Sequence, residues 1–364
     1  MELPEIGNFR EIFLKDIPLL DVRAPIEFKA GAFPGASNIP LLNDEERHLI
    51  GLRYKEQGQS AAIALGKKLI DGQPKDTCTA RWQAFVQQYP EGALYCFRGG
   101  MRSRIAQEWI HGATGIAYPR IEGGYKALRN FLLEELNISI ARVQPVVLGG
   151  RTGTGKTVVI QQLQNSIDLE GLAWHRGSAF GGHVTPQPSQ IDFENRLSVE
   201  LIRHRAAQHS KLVLEDESKA VGSRHLPPLL YERMSLSPLV ILDTPLQERI
   251  DNSVQEYVTN AIAEYQAMYG EEEGFQKWAD YAQNGLQRIS KRLGGMRYKE
   301  LASKLQYAID HLKQTGCPEA HEEWVSQLLT EYYDPMYDYQ TSQKKDRIIF
   351  SGSMADALNY LKDL

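Results

Sequence analysis

Residues 150–157 constrain the fold of this chain more than any other segment. Gly150–Thr157 matches the phosphate-loop pattern G-x-x-x-x-G-K-[ST], between an apolar run at Val143–Leu148 and the apolar residues Val158–Ile160. Such a loop between a strand and a helix predicts an α/β domain whose backbone N–H groups cradle a diphosphate. The predicted phosphate-binding residues are Gly150, Gly153, Gly155, Lys156 and Thr157. The alternative is a glycine-rich turn with a purely structural role.

Acidic residues follow the next predicted strand, Lys211–Glu215. Because Mg²⁺ prefers hydroxyl and carboxylate oxygens beside bound phosphates, we predict a Mg²⁺ site made by Thr157 with Glu215 or Asp216. A phosphate loop indicates that a phosphate chain binds, and by itself it does not indicate hydrolysis. No adenosine-binding motif is visible in the sequence.

A second constrained segment surrounds Cys96. Ala93–Cys96 predicts a strand, and the turn after it leads into a helix near Ser103. Neighbouring arginines, turned-in backbone N–H groups and the helix N-terminus favour an ionised, nucleophilic sulfur at such a strand end. The predicted active-site loop comprises the nucleophile Cys96 with Arg98, Gly99, Gly100, Arg102 and Ser103. The alternative is a buried structural cysteine.

The chain length and the alternation of strand-like and helical segments predict two α/β domains. At 364 residues the chain exceeds the size at which one hydrophobic core usually stops growing. Short apolar strands alternate with helical stretches in the first part, which predicts a parallel sheet covered by helices. We place the boundary near Asn137, giving domains 1–137 and 138–364. Three- and four-residue spacing of apolar residues predicts a helical subdomain at about 246–340.

Composition narrows the functional classes. No apolar run approaches the roughly 20 residues that cross a bilayer, and the N-terminus lacks signal-peptide features, so we expect a cytoplasmic protein without a membrane partner. The three cysteines, Cys78, Cys96 and Cys317, form no zinc-like spacing. The net charge of -5 means that any binding to RNA would require a local basic surface.

Two further segments are candidates for substrate binding. The loop around His175, Arg176 and Ser178 is dense in small, aromatic and cationic residues, which suit a phosphate or an RNA base, and the alternative is an ordinary surface loop. The clearest basic cluster in the sequence is a candidate contact for an RNA phosphate backbone, and the alternative is a solvated helix face. Its predicted contact residues are Arg288, Lys291, Arg292 and Arg297.

The N-terminal motifs resemble the rhodanese family. They are Asp21-Val22-Arg23, Glu27-Phe28, Gly31–Ala36, Asn38-Ile39-Pro40, and Cys96 with Arg102 six residues later. The resemblance implies that the loop after a central strand wraps around the sulfur. It also implies that Asp21 and Arg23 support the loop, whereas a capped turn with a surface ion pair is the alternative.

A rhodanese-like domain fused to a phosphate-loop domain resembles the tRNA 2-selenouridine synthase family. Supporting stretches are Glu122–Leu128, His175–Ser178, Leu214–Ser218 and Tyr332–Tyr337. This resemblance implies a tRNA partner whose wobble 2-thiouridine becomes 2-selenouridine, first by S-geranylation with geranyl diphosphate and then by selenation with selenophosphate. It is also compatible with a partner enzyme that supplies selenophosphate.

These implications are consistent with a different role for each of the two sites. The phosphate loop with Mg²⁺ would hold the diphosphate without ATP, and Cys96 with Arg98 and Arg102 would carry the selenium. The alternatives are a phosphate-loop kinase or NTPase regulated by a rhodanese-like module, a thiosulfate sulfurtransferase with an accessory domain, and an RNA-binding adaptor. ATP or GTP turnover without tRNA would favour the first of these alternatives.

Overall fold

The chain forms two units, each built on a parallel sheet. The computed structural model describes residues 3–364. The first unit comprises the residues up to Ala141 together with Ser189–Ala207, and the second comprises Arg142–Pro188 and Gln208–Leu364. The predicted boundary at Asn137 lies four residues earlier, inside a helix.

The first unit has a five-stranded parallel sheet in the order β1-β5-β4-β2-β3. Its strands are β1 (Glu5–Ile6), β2 (Leu19–Asp21), β3 (Ser37–Asn38), β4 (Ala93–Tyr95) and β5 (Arg120–Ile121). Its helices are α1 (Phe9–Leu14), α2 (Pro25–Ala30), α3 (Asp44–Ile70), α4 (Gln73–Gln88), α5 (Met101–Thr114), α6 (Gly124–Arg142) and α9 (Gln190–Ala206).

Alternate residues of the central strands face two hydrophobic layers. Leu94 packs with Trp82 of α4 on one face, and Ala93 packs with Leu128 of α6 on the other. Such covering of both faces is characteristic of parallel sheets. Cys96 follows β4 directly, at the carboxyl end of the sheet, as the sequence predicts.

Helix α9 belongs to the first unit, although its sequence position places it in the predicted second domain. Its apolar face puts Val199 and Ile202 into the cluster that contains Leu132. Ser198 Oγ also donates a 2.7 Å hydrogen bond to the carbonyl of Leu132. Helical periodicity predicts such an amphipathic helix, but it does not say which core the helix joins.

The second unit has a four-stranded parallel sheet in the order β11-β10-β6-β7 and an antiparallel β8-β9 ribbon. Its strands are β6 (Pro145–Gly150), β7 (Leu212–Glu215), β8 (Ala220–Val221), β9 (Arg224–His225), β10 (Leu239–Leu242) and β11 (Ile348–Gly352). Helices α7 (Lys156–Gln161), α8 (Leu169–Ala173), α10 (Pro228–Leu236) and α17 (Met354–Lys362) are interspersed with these strands.

A helical region lies between β10 and β11, which confirms the predicted helical subdomain. It contains α11 (Leu246–Val254), α12 (Ala261–Tyr269), α13 (Glu271–Leu293), α14 (Gly295–Thr315), α15 (His321–Leu328) and α16 (Asp334–Ser342), with π-helical turns at Gln255–Asn260 and Leu329–Tyr333 and a 3₁₀ turn at Lys345–Arg347. Buried Trp278, Leu286 and Trp324 belong to its core. The predicted α/β class of the chain is therefore confirmed. None of the helices formed by residues 3–364 has the combination of length and hydropathy that a bilayer-spanning segment requires.

Candidate functional site

The sulfur of Cys96 is enclosed by its own loop. The residue is only 3% exposed. Its Sγ donates to Ser103 Oγ at 3.2 Å, and the Ser103 hydroxyl donates to the carbonyl of Gly100 at 3.0 Å. Ser103 lies in the first turn of α5, so the start of this helix fixes the position of the sulfur. The predicted grouping of Cys96, Gly100 and Ser103 is present in the structure.

The loop rests on the start of α6. The carbonyl of Cys96 accepts a hydrogen bond from Tyr125 N at 2.8 Å, and the carbonyl of Phe97 accepts one from Lys126 N at 3.0 Å. Gly124 has φ +61°, and a Cβ atom there would lie 2.3 Å from the Cys96 oxygen. Only glycine fits this position without moving the loop, because both its backbone angle and its surroundings exclude a side chain.

The two arginines of the loop have different environments. Arg102 donates to both carboxylate oxygens of Glu27, at 2.5 and 3.1 Å, whereas Arg98 is exposed. Arg47 Nε also lies 3.2 Å from Glu27. Burial alone would raise the pKa of Glu27, but the Arg102 hydrogen bond and the nearby cations lower it overall. Glu27 therefore stays ionised and orients Arg102 beside the loop.

Asp21 and Arg23 form a buried ion pair, so the surface-pair alternative is wrong. Both residues are almost fully enclosed, and Arg23 Nη2 contacts Asp21 at 2.6 Å and the Gly31 carbonyl at 2.8 Å. The Arg23 guanidinium lies 3.8 Å from the ring centroid of Tyr125, the residue whose backbone holds Cys96. The pair thus supports the cysteine loop through Tyr125.

The phosphate-loop residues form a tight turn between β6 and α7. Gly153 and Gly155 have φ values of +81° and +82°, which favour glycine. Lys156 Nζ donates to the carbonyl of Gly150 at 3.1 Å and lies 3.4 Å from that of Arg151. This ammonium group therefore lies over its own loop, where a diphosphate would bind.

Side chains of the helical region hold the outer carbonyls of this loop. Arg249 Nε donates to the Thr152 carbonyl at 2.9 Å, and Asn252 Nδ2 donates to that of Gly153 at 2.9 Å. Arg249 also makes a two-point ion pair with Asp334, at 2.5 and 3.0 Å. These partners hold two carbonyls of the loop in place.

The tyrosine-rich segment Tyr332–Tyr339 also lies at the phosphate loop. Asp338 accepts two hydrogen bonds from Arg151, at 2.8 and 2.9 Å. The ring centroid of Tyr337 lies 5.8 Å from Lys156 Nζ, within range of a cation–π contact. Helix α16 therefore contributes side chains to the phosphate site.

The carboxylates predicted to bind Mg²⁺ have other partners. Glu215 is fully buried and accepts from Leu169 N at 3.0 Å, and burial raises its pKa well above the usual range. Asp216 pairs with Lys344 at 2.6 Å. The carboxylate beside Thr157 is instead Glu170, whose Oε2 lies 3.5 Å from the Thr157 hydroxyl.

Glu170 shares a hydrogen bond with Glu217 close to Lys156, and burial raises the pKa of both carboxyls. Two carboxyl groups this close together offer the hard oxygen ligands that Mg²⁺ takes. Thr157, Glu170 and Glu217 therefore fit the metal better than the predicted set. Within residues 3–364, no group of three or more His, Cys, Asp or Glu side chains is arranged to hold a metal by itself.

The loop around His175 is held internally. Arg176 forms ion pairs with Glu256 and Glu264, which occupy its guanidinium. Burial lowers the pKa of His175, and its Nδ1 accepts from Gly177 N at 3.1 Å. The Ser178 hydroxyl accepts from the backbone of Phe180 at 3.1 Å. These contacts favour a structural role for Arg176 over contact with phosphate.

The predicted basic cluster lies at the end of α13 and the start of α14, where its side chains are exposed. Arg288 donates to the Ala179 carbonyl at 2.7 Å, and Arg297 lies 3.2 Å from Glu331. Lys291 and Arg292 are exposed in the last turn of α13. The cluster is therefore accessible to a phosphate backbone, with two of its members already engaged.

Known proteins are similar to this chain over most of its length. A family model described as the tRNA 2-selenouridine synthase AAA domain matches residues 143–364, more than half of the chain. The chain belongs to the tRNA 2-selenouridine synthase family. Family relatives described as tRNA 2-selenouridine synthase match nearly the full length. That of Bordetella petrii is 48% identical over 99% of this chain and 96% of its own. That of Marinobacter nauticus is 51% identical over 96% and 95%, and that of Sulfurovum sp. (strain NBC37-1) is 46% identical over 100% and 99%.

Sequence reasoning missed three carboxylates in this member of the tRNA 2-selenouridine synthase family. Glu27 orients Arg102, and Glu170 with Glu217 lies beside Thr157 and Lys156. A signal existed for Glu27, which stands in the rhodanese-like motif, and for Glu217, which stands two residues after β7. No pattern pointed to Glu170, because its helix α8 is only five residues long.

Proposed function

We propose that this protein converts the wobble 2-thiouridine of tRNA to 2-selenouridine, using geranyl diphosphate and then selenophosphate. The observation that supports this most is the presence of two separate sites in one chain. One is a cysteine whose sulfur donates to Ser103 and whose carbonyl accepts from Tyr125 N, and the other is a phosphate loop with Lys156 over it. The family membership supports the same reaction.

The phosphate loop serves the first step. The sulfur of 2-thiouridine attacks C1 of geranyl diphosphate, so that an S–C bond forms, the C–O bond breaks, inorganic diphosphate leaves, and the N3 proton goes to solvent. Loop N–H groups and Lys156 stabilise the charge that develops on the leaving group. Bound Mg²⁺ would supply further charge neutralisation, and Thr157, Glu170 and Glu217 would hold it. This step consumes no ATP.

Cys96 serves the second step as a nucleophile. Its thiolate attacks C2 of the S-geranylated ring, a Cys96–C2 bond forms, and geranylthiolate leaves. Selenophosphate then displaces Cys96 through its selenium, and water cleaves the Se–P bond to give 2-selenouridine and orthophosphate. Every step is a substitution, so no oxidant is needed. If Cys96 carried the selenium as a perselenide, an oxidant would be needed, because selenophosphate already holds selenium at the selenide level.

Two substitutions separate the steps. Cys96→Ala should abolish selenium incorporation and leave S-geranylation intact, because the nucleophile is lost while the phosphate site is untouched. Cys317→Ala, at an exposed cysteine, is its control. Lys156→Ala should slow S-geranylation by at least tenfold, whereas Lys345→Ala at an exposed lysine should not.

The assay is mass spectrometry of tRNA nucleosides after incubation with both donors. Selenation that survives Cys96→Ala would refute the nucleophile assignment, and unchanged geranylation in Lys156→Ala would refute the diphosphate assignment. Turnover of ATP or GTP without tRNA, with no modified nucleoside, would favour a regulated NTPase instead.

A further inference from the structure

A large cavity lies in the first unit next to the cysteine loop. Its volume is about 890 Å³, and Phe97, Met101 and Arg102 contribute to its wall. Small-ligand sites usually occupy about 300–1,000 Å³, so the cavity is large enough for an organic ligand. These residues belong to the loop after Cys96 and to the start of α5, so a ligand in the cavity contacts the segment that carries the sulfur.

The wall of the cavity is mainly apolar and partly open to solvent. Helix α3 supplies Leu52 and Ile63 from opposite sides of a kink at Gly58, where φ is +79°. Leu52, Tyr54, Phe97 and Met101 are all exposed large hydrophobic residues. Several such side chains around one opening mark a binding site, since folded proteins seldom leave a contiguous apolar patch uncovered without a function.

The edge of the same cavity carries positive charge. Arg47, His48, Lys55 and Lys67 line it, and Glu27 is the acidic residue among its described lining. The chain as a whole has a charge of -5, so this edge differs in sign from the overall balance. An apolar interior with a cationic edge matches a hydrocarbon chain attached to a phosphate-bearing molecule.

A second cavity, in the phosphate-loop unit, is much smaller. A cavity next to Thr152, lined by Phe180 and Trp324, has a volume of about 20 Å³. That is enough for about one water molecule, which needs roughly 10–15 Å³ of such space. A ten-carbon chain does not fit there.

We propose that the cavity of the first unit binds the geranyl chain of the S-geranylated uridine and thereby holds C2 of its ring at Cys96. This inference rests on the function proposed above, and it assigns a site to the chain in the second step. Attachment of geranyl to the sulfur then has a physical purpose, because the chain provides apolar contact that a bare 2-thiouridine lacks. Each methylene group buried should strengthen binding about fourfold.

The test uses the full-length protein and an anticodon stem-loop RNA with a preformed S-geranyl-2-thiouridine. Its affinity is compared with that of the same RNA carrying S-methyl-2-thiouridine, and selenation of each is followed under single turnover. Wild-type protein should prefer the geranylated RNA by on the order of a hundredfold, the product of several buried methylene groups. Leu52→Asp should reduce this preference at least tenfold.

Leu49→Asp is a matched control, because Leu49 is on the same helix with 44% exposure against 45% for Leu52 and does not line the cavity. Ile63→Trp is a second variant, which fills the cavity without adding charge and should also lower the preference. Equal preference in wild type, Leu52→Asp and Leu49→Asp would overturn the site. So would a defect confined to geranylation of 2-thiouridine. If wild type does not selenate the geranylated RNA at all, the proposed function itself fails, which is a different result.

Discussion

Replacement of Asp334 by Asn should destabilise the second unit much more than the same change at Asp338. Both carboxylates lie on α16 and pair with an arginine at the phosphate loop. The Arg249–Asp334 side chains are 2% and 15% exposed, whereas those of Arg151–Asp338 are 44% and 53% exposed. Removing one partner of a buried pair costs about 3–5 kcal/mol, and an exposed pair contributes about 0–1 kcal/mol.

For Asp334→Asn we expect the lower end of that range, about 3 kcal/mol, since Arg249 keeps its bond to the Thr152 carbonyl. With a urea dependence of about 2 kcal/mol per M, the unfolding midpoint should fall by about 1.5 M. Urea titration followed by circular dichroism measures this shift, and Asp338→Asn should move the midpoint by less than about 0.5 M. Equal shifts would refute the conclusion that the buried pair fixes the loop carbonyls.

Three further outcomes follow from the structure. Gly124→Ala should abolish selenation, because its Cβ would lie 2.3 Å from the carbonyl oxygen of Cys96. Its control is Gly115→Ala, where φ is +71° but the surrounding space is open. This control should keep selenation and lower the free energy of unfolding by only about 1–2 kcal/mol, as measured by thermal unfolding. Burial raises the pKa of Glu217 well above its usual value, so the stability that its protonated form contributes is present below about pH 4.5 and is lost as the pH rises through the raised pKa. Glu217→Gln should therefore show a smaller fall in melting temperature between about pH 5 and about pH 8, and Mg²⁺ should stabilise the wild type more than this variant. Burial lowers the pKa of His321 to about 4, so the folded protein loses stability as the pH falls from 6.5 towards 4 and the ring becomes protonated. The variant His321→Gln should therefore show a smaller fall in melting temperature over this pH range.

Local patterns predicted the strand and the helix that flank each of the two sites. The apolar runs before Cys96 and Gly150 are strands β4 and β6, and each is followed by a helix. These features depend on short stretches of sequence, where strand propensity and glycine geometry decide the backbone.

The residues whose roles the sequence did not predict have ion-pair partners that lie far away along the chain. Asp216 has the position of a metal ligand after β7, but it pairs with Lys344, which lies 128 residues later. Arg176 has the composition of a phosphate contact, but two glutamates from the helical region neutralise it. Periodicity and motif spacing report neighbours along the chain, whereas these partners are brought together only by tertiary packing.

Because α9 packs in the first unit, this chain cannot be cut at the predicted domain boundary into two complete units. A fragment that stops at Asn137 would lack the helix that supplies Val199 and Ile202, and would leave Leu132 exposed to water. Loss of that packing makes an isolated N-terminal piece prone to aggregation. A self-sufficient version of the first unit would need Ser189–Ala207 grafted after Ala141 through a short linker.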